Sequence, residues 1–202
     1  MPLMTCLRII NITIPFPTCI MRRSWMGYRD AEGNLTGDIG PDNQITRAEL
    51  VKILVAGLQD ELPPLPTPTP LPDASSNDCF DDITNHWSKE YVCEGFMRGW
   101  VVGHEKGNFF APDDPVNIVE ALTIILNAFD ITSRDMDEPL FNDVPVDAWF
   151  APVAQIAVDK NLIEEAGQSS LGPANERTRG QIAEIIARVM QIKYMDAPVY
   201  TD

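Results

Sequence analysis

Residues 80–87 read Phe-Asp-Asp-Ile-Thr-Asn-His-Trp, and residues 141–149 repeat this stretch as Phe-Asn-Asp-Val-Pro-Val-Asp-Ala-Trp. Each copy continues through an amphipathic stretch, a Gly-rich loop and a proline into a second helical pattern. The two opening phenylalanines are 61 positions apart, and the loop prolines Pro112 and Pro173 keep the same spacing. A repeat of this length predicts an array of helical units that bury their apolar faces on one another.

A partial copy of the same unit precedes these two. Residues 27–59 hold the loop and the second helical pattern, with Pro41 in the place of the later loop prolines. Six prolines then follow between residues 61 and 78, and they favour an extended spacer. The sequence therefore predicts a partial first repeat in 1–60 (clear from 27), a linker in 61–78, repeats in 79–133 and 134–192, and a tail in 193–202.

Apolar residues recur at helical spacing in five segments, so the predicted fold class is mainly α. Each complete repeat supplies a helix–loop–helix, and the first repeat supplies its second helix. The predicted helices are Thr46 to about Gln59, near Trp87 to Arg98, Ile118–Phe129, near Trp149 to Lys160, and Arg179–Gln191.

Each second helix begins with a capping box, in which two side chains satisfy the free backbone amides of the first turn. This role alone explains the paired residues, because such a start is worth about 1 kcal/mol. The pairs are Thr46 with Glu49, Asn117 with Glu120, and Thr178 with Gln181.

The residue that follows each cap is not needed for capping, and it differs between repeats: Arg47, Ile118 and Arg179. A helix N-terminus presents amide donors and partial positive charge to an anion. A guanidinium adds a planar fork that suits a carboxylate. The residues alone favour the simpler alternative that each arginine pairs with a surface Asp or Glu.

The repeats resemble the S-layer homology family, whose modules hold bacterial proteins on the cell wall. The resemblance lies in the Phe-x-Asp-(Val/Ile) opening, in the His-Trp-Ser or Ala-Trp-Phe start of the first helix, and in the Gly-rich loop with its proline. It is strongest at Ile-Thr-Arg-Ala-Glu, residues 45–49, and covers roughly residues 27–192. It implies three tandem repeats packed as a pseudo-threefold bundle, a three-pronged spindle, with the first repeat incomplete and binding grooves between neighbours.

The resemblance also implies a ligand, a secondary cell-wall polysaccharide that carries pyruvate ketals. Arg47 and Arg179 match the family arginine that contacts the pyruvyl carboxylate. Ile118 departs from the pattern, so the groove built on repeat two is expected to be weak or inactive. Thr46 and Thr178 are carried over as ligand-binding candidates beside the arginines.

The tryptophans and glycines of the repeats have both binding and structural interpretations. Trp87 and Trp149 are ligand-binding candidates because aromatic rings pack on sugars, but a core wedge between repeats is the slightly favoured interpretation. Gly103 and Gly107 are expected to supply positive φ in the loop, with a place of Gly103 in the groove wall implied by the resemblance.

An acid stands two residues after the opening phenylalanine of each complete repeat. Asp82 and Asp143 are expected to cap or brace the start of the first helix, without a binding role.

The four cysteines fall in two pairs, Cys6 with Cys19 and Cys79 with Cys93. Disulfides in both pairs would suit an oxidising compartment. Buried free thiols are the alternative for a cytosolic protein. A zinc site of Cys79, His86, Cys93 and His104 matches no compact metal pattern and is disfavoured.

Composition and charge exclude several functions. The net charge of −15 opposes binding to nucleic acid and to anionic membranes, and it would also repel an acidic polymer at long range. Recognition of such a polymer must therefore depend on local cations. No apolar stretch is long enough to span a bilayer, and no catalytic motif or cofactor-binding motif is present.

The sequence thus predicts a non-catalytic cell-surface anchoring module, extracellular in the cell wall or S-layer, without a cofactor. Its predicted partner is the pyruvylated wall polysaccharide, with neighbouring S-layer proteins as further partners. The alternative is a repeat module for protein–protein assembly at the envelope, without glycan binding. Residues 1–26 make a poor secretory signal because Arg8 interrupts the apolar run and prolines follow it.

Overall fold

A computed structural model describes residues 27–28, 30–59, 61–63, 79–104, 107–132 and 140–195. These residues form five α-helices and one short 3-10 turn, Asp81–Ile83, and their only strand pairing is a set of isolated bridges. The predicted mainly-α class is confirmed. The helices are α1 Arg47–Leu58, α2 Lys89–Met97, α3 Ile118–Ala128, α4 Ala151–Asp159 and α5 Arg179–Met195.

The helix bounds follow the predicted ones closely at the capped helices and less closely elsewhere. α1, α3 and α5 begin at the residue after the predicted cap. α2 and α4 begin two residues after Trp87 and Trp149, because turn residues separate each tryptophan from its helix. α5 runs to Met195 and so extends past the predicted end of the third repeat.

The apolar core is built by helices from all three repeats. α3 contacts α1, α4 and α5, and α1 also packs on α2. Phe80, Phe110, Leu122 and Leu162 are among the largest fully buried side chains. The repeats therefore share one core, as a stacked array requires.

The three segments that precede the second helices pair with one another in a closed ring. The amide of Ile45 donates to the carbonyl of Arg177 (3.1 Å), that of Val116 to Ile45 (3.0 Å), and that of Arg177 to Val116 (3.0 Å). This ring sets the N-termini of α1, α3 and α5 side by side. All three capping boxes next to it form as predicted.

Cys79 and Cys93 form a disulfide, with their Cα atoms 5.3 Å apart. The free-thiol and zinc alternatives are therefore wrong for these two cysteines. Closing a loop of this length is worth about 3 kcal/mol in the chain-entropy account. Cys6 and Cys19 lie outside the described residues.

Asp82 and Asp143 brace the loop before the second helix, not the start of the first helix as predicted. The Asp82 carboxylate accepts from the amides of Phe110 and Ala111, at 2.7–3.1 Å. In the third repeat the Asp143 carboxylate accepts from the amides of Leu171 (2.9 Å) and Gly172 (2.8 Å). Each acid thus ties the opening of its repeat to the loop that positions the capped helix.

The prediction that Gly103 and Gly107 supply positive φ is wrong. Gly103 instead allows close approach, because an added Cβ would lie 2.9 Å from a ring carbon of Phe80. The left-handed positions common to the three loops are Gly40, Ala111 and Gly172, with φ of 52°, 55° and 66°.

Candidate functional site

Arg179, the first residue of α5, is held by three groups from the first repeat. Its Nε donates to the carbonyl of Ile39 (2.9 Å), and its Nη1 donates to Oε1 of Glu49 (3.1 Å). The guanidinium carbon lies 5.2 Å from the centre of the Tyr28 ring. The side chain is buried and fixed in orientation, with an acidic partner already present.

Arg47, the first residue of α1, has the same arrangement with the second repeat. Its Nε donates to the carbonyl of Phe110 (2.8 Å), and its Nη1 lies 3.0 Å from Oε1 of Glu120. The guanidinium carbon lies 4.7 Å from the centre of the Phe110 ring. Both arginines thus follow the simpler alternative of an internal ion pair.

The partner of each arginine is the capping glutamate of another repeat. Arg179 of repeat three pairs with Glu49 of repeat one, and Arg47 of repeat one pairs with Glu120 of repeat two. In the remaining seam the corresponding residues are Ile118 and Gln181, which line one cavity. The arginine and its glutamate partner are thus both replaced by uncharged residues there.

A groove opens where the three repeats meet beside Arg179, and its volume is about 150 Å³. Arg179 and Trp87 are thus two predicted site residues that line a common groove. Trp87 is 57% exposed, so much of the residue is open to solvent at the groove. The lining residues are Gly27, Tyr28, Glu49, Lys52, Ile53, Trp87 and Arg179.

The core-wedge interpretation of the tryptophans is wrong. Trp149 is 65% exposed and meets the ring of Phe150 edge-on at 5.4 Å, and Trp87 is nearly as exposed. Phe80 and Phe141 of the same openings fill the core instead. Large exposed indoles at equivalent repeat positions are unusual for a side chain that normally buries most of its area.

Lys52 and Tyr28 line the groove but were not predicted from the sequence. Lys52 lies one helical turn after Glu49, and this i,i+3 spacing could have placed the two on one face of α1. Two cations, Arg179 and Lys52, and one carboxylate, Glu49, line the groove in a chain of net charge −15. Tyr28 lies in an irregular loop, where spacing gives no such indication.

The other predicted candidates have structural partners. The hydroxyls of Thr46 and Thr178 accept the amides of Glu49 (3.2 Å) and Gln181 (3.3 Å), so both threonines serve as caps. Gly103 lies against Phe80 and the carbonyl of Phe109.

No group of His, Cys, Asp and Glu in the described part of the chain could hold a metal ion. Among those same residues, no helix is long and apolar enough to cross a membrane.

The capped, ring-paired helices define a tandem helical-repeat module. Residues 80–117 match the S-layer homology domain, which confirms the resemblance over this stretch. The chain is similar to Cell surface glycoprotein 1 of Acetivibrio thermocellus, with 28% identity over 145 residues. That match covers 69% of this chain and 6% of the relative's length.

Proposed function

We propose that this chain is a non-catalytic cell-surface anchoring module that binds an acidic, pyruvylated wall polysaccharide in the groove between Trp87 and Arg179. The S-layer homology match and the surface glycoprotein relative support the anchoring role. The observation that carries the ligand assignment is the convergence of an exposed indole and two cations on one groove. The same two similarities support a location at the cell surface.

The chemistry of the groove suits a sugar that bears a carboxylate. A sugar ring stacks its C–H face on the indole of Trp87, and the carboxylate is drawn to Arg179 and Lys52. Neutral sugars gain the stacking alone, while a simple anion gains the charge alone. Selectivity for an acidic sugar therefore comes from meeting both requirements in one place.

The ion pair with Glu49 has two effects on ligand binding by Arg179. The pair fixes the guanidinium against Tyr28 without a search through rotamers, which lowers the entropy cost of binding. It also lowers the net charge, so the ligand carboxylate must share the guanidinium with Glu49. Lys52 lines the same groove, and we assign it a ligand role beside Arg179.

The three repeats support a pseudo-threefold arrangement with a second, related groove. The amide–carbonyl ring of Ile45, Val116 and Arg177 gives each repeat an equivalent place. One repeat further around the ring, Trp149 takes the place of Trp87 and Arg47 takes the place of Arg179. Gly103 lies in the loop of repeat two. We infer that these residues form the second groove of the module.

Co-sedimentation with purified cell walls tests the proposal. We expect the protein to bind intact walls and to lose most of this binding after mild acid removes the pyruvate ketals. The Trp87→Ala and Lys52→Gln variants should each bind about tenfold more weakly, which corresponds to about 1.4 kcal/mol.

The matched control is Arg98→Gln. Arg98, like Arg179, has a glutamate partner (Glu94), a carbonyl partner (Pro63) and a nearby aromatic ring (Trp100), but it lies outside the groove. This variant should bind walls like the native chain. Binding that survives ketal removal and both groove substitutions would contradict the proposal and favour protein–protein assembly.

A further inference from the structure

The seam between repeats two and three holds a second, smaller cavity with an unusual arginine. Its volume is about 20 Å³, which holds one water or one hydroxyl group. The apolar part of its wall is formed by Ile118, Leu162, Ile163 and Ile185. Arg177 lines the same cavity.

Arg177 occupies a position that is apolar in the other repeats. In the amide–carbonyl ring its counterparts are Ile45 and Val116, both fully buried. Arg177 is itself only 6% exposed, and its guanidinium reaches the seam in which Ile118 replaces the usual arginine. The cation of this seam therefore comes from a position two residues before the start of α5.

The charge of Arg177 is balanced, but its hydrogen-bonding capacity is not used. Nη2 lies 2.7 Å from Oε1 of Glu165, which is an ion-pair distance. Among the described residues, neither Nε nor Nη2 has a hydrogen-bond partner of acceptable geometry. A buried donor without an acceptor costs about 1–3 kcal/mol, so the site is suited to a ligand oxygen.

The surrounding charges select against an acid. Arg177 and Arg188 face Glu164, Glu165 and Glu184, so the cavity has a net charge of −1. Arg188 is already engaged by Glu184 at 2.7 Å. An added carboxylate would meet this excess of acids, whereas a hydroxyl both accepts from Arg177 and donates to a glutamate.

We propose that this cavity is a binding site for the hydroxyl group of a neutral sugar unit, with Arg177 as the specificity-determining donor. The ligand oxygen accepts from Nε of Arg177 and its O–H donates to Glu165, while the sugar ring itself stays outside this small cavity. The inference rests on the proposed glycan binding but concerns a different unit of the polymer and a different seam. It replaces the expectation that the seam at Ile118 is inactive.

NMR titration with a matched pair of sugars, methyl β-D-glucoside and methyl β-D-glucuronide, tests the proposal. The neutral sugar should shift the Arg177 Nε–H and Ile118 methyl signals, while the glucuronide should shift mainly the Trp87 indole signal. Arg177→Met should weaken neutral-sugar binding about tenfold. This variant should fold, since Ile45 and Val116 hold the equivalent positions.

Trp87→Ala separates this proposal from the proposed function. It should abolish the glucuronide shifts and leave the glucoside shifts at Arg177 unchanged. If the Arg177 signals stay unaltered in excess glucoside and the Nε–H exchanges only with solvent water, the cavity holds only water. That result would overturn the proposal. Equal glucoside affinity of Arg177→Met and the native chain would overturn it as well.

Discussion

At the scale of single residues, the loops before the second helices share one left-handed backbone position. Glycine occupies it at residues 40 and 172, and Ala111 occupies it in the second repeat with φ of 55°. An L-residue with a Cβ in this conformation is strained by about 1 kcal/mol. The second repeat therefore tolerates a local strain that the other two avoid.

Exchanging these residues should change stability in opposite directions. Ala111→Gly should stabilise by up to about 0.5 kcal/mol, because relief of strain exceeds the added chain entropy of glycine. Gly172→Ala should destabilise by about 1 kcal/mol or more, since the new Cβ would lie 2.1 Å from Nδ2 of Asn175. Urea unfolding measures both, and a destabilised Ala111→Gly variant would contradict this account.

Which residues carry positive φ could not be predicted from glycine content. The sequence favoured Gly103 and Gly107, but the strain is at Ala111, four residues after the second of them. Similarly, the arginines after the caps were found because capping boxes have a local spacing. The particular glutamate that each arginine contacts could not be predicted, since Arg179 and Glu49 are 130 positions apart.

At the scale of elements, the capped second helices were predicted almost residue by residue, and the first helices less well. A capping box is a local signal that marks the first turn directly. The starts of α2 and α4 lack a side-chain cap hydrogen bond, so an apolar pattern alone placed them two residues early. Trp87 and Trp149 therefore lie in turns and are exposed, although a core wedge was the slightly favoured interpretation.

The link between each repeat opening and its loop should depend on pH. Burial raises the pKa of Asp143, but hydrogen bonds from the Ser170 hydroxyl and from the amides of Leu171 and Gly172 outweigh it, and the net pKa is lowered. The folded state thus favours the carboxylate. Its contribution is fully present above pH of about 4, the ordinary Asp value, and is lost as pH falls below it.

Asp143→Asn should therefore unfold more easily than the native chain at neutral pH, and the gap in stability should narrow as the pH falls below about 4, the ordinary Asp value. Urea unfolding across the acid range and at neutral pH measures this difference. Asn142→Asp, at the exposed neighbouring position, serves as the control for a change of charge alone. A stability gap between Asp143→Asn and native protein that stays constant across the acid range would contradict the assigned role of the carboxylate.

At the scale of the whole molecule, the three seams between repeats differ in the residues that lie next to the ring. Two seams contain an Arg–Glu pair next to the ring, and the third contains Ile118 and Gln181 with Arg177 nearby. The sequence alone predicted three similar units around one core. It could not predict which glutamate meets which arginine, because that depends on the order of the repeats in space.

Replacing the Arg–Glu pair of one seam by the Ile and Gln found in the third seam tests this description. Arg47→Ile alone should cost about 3 kcal/mol, since it leaves Glu120 partly buried without its cation. Adding Glu120→Gln should recover most of that loss, because the pair then matches Ile118 and Gln181. Unfolding free energies of the two single variants and the double variant measure the coupling, and additive losses would contradict it.

The central claim is that the groove of Trp87 and Arg179 recognises a sugar carboxylate. Isothermal titration of the purified wall polysaccharide, with and without its ketals, into the native chain and Arg179→Gln tests it most directly. We predict that the native chain binds the ketal-bearing polymer far more tightly than the ketal-free one, that Arg179→Gln binds the ketal-bearing polymer at least about tenfold more weakly, and that Arg98→Gln binds it normally. Equal affinity of the native chain for both polymers, or of Arg179→Gln and the native chain for the acidic one, would contradict the claim.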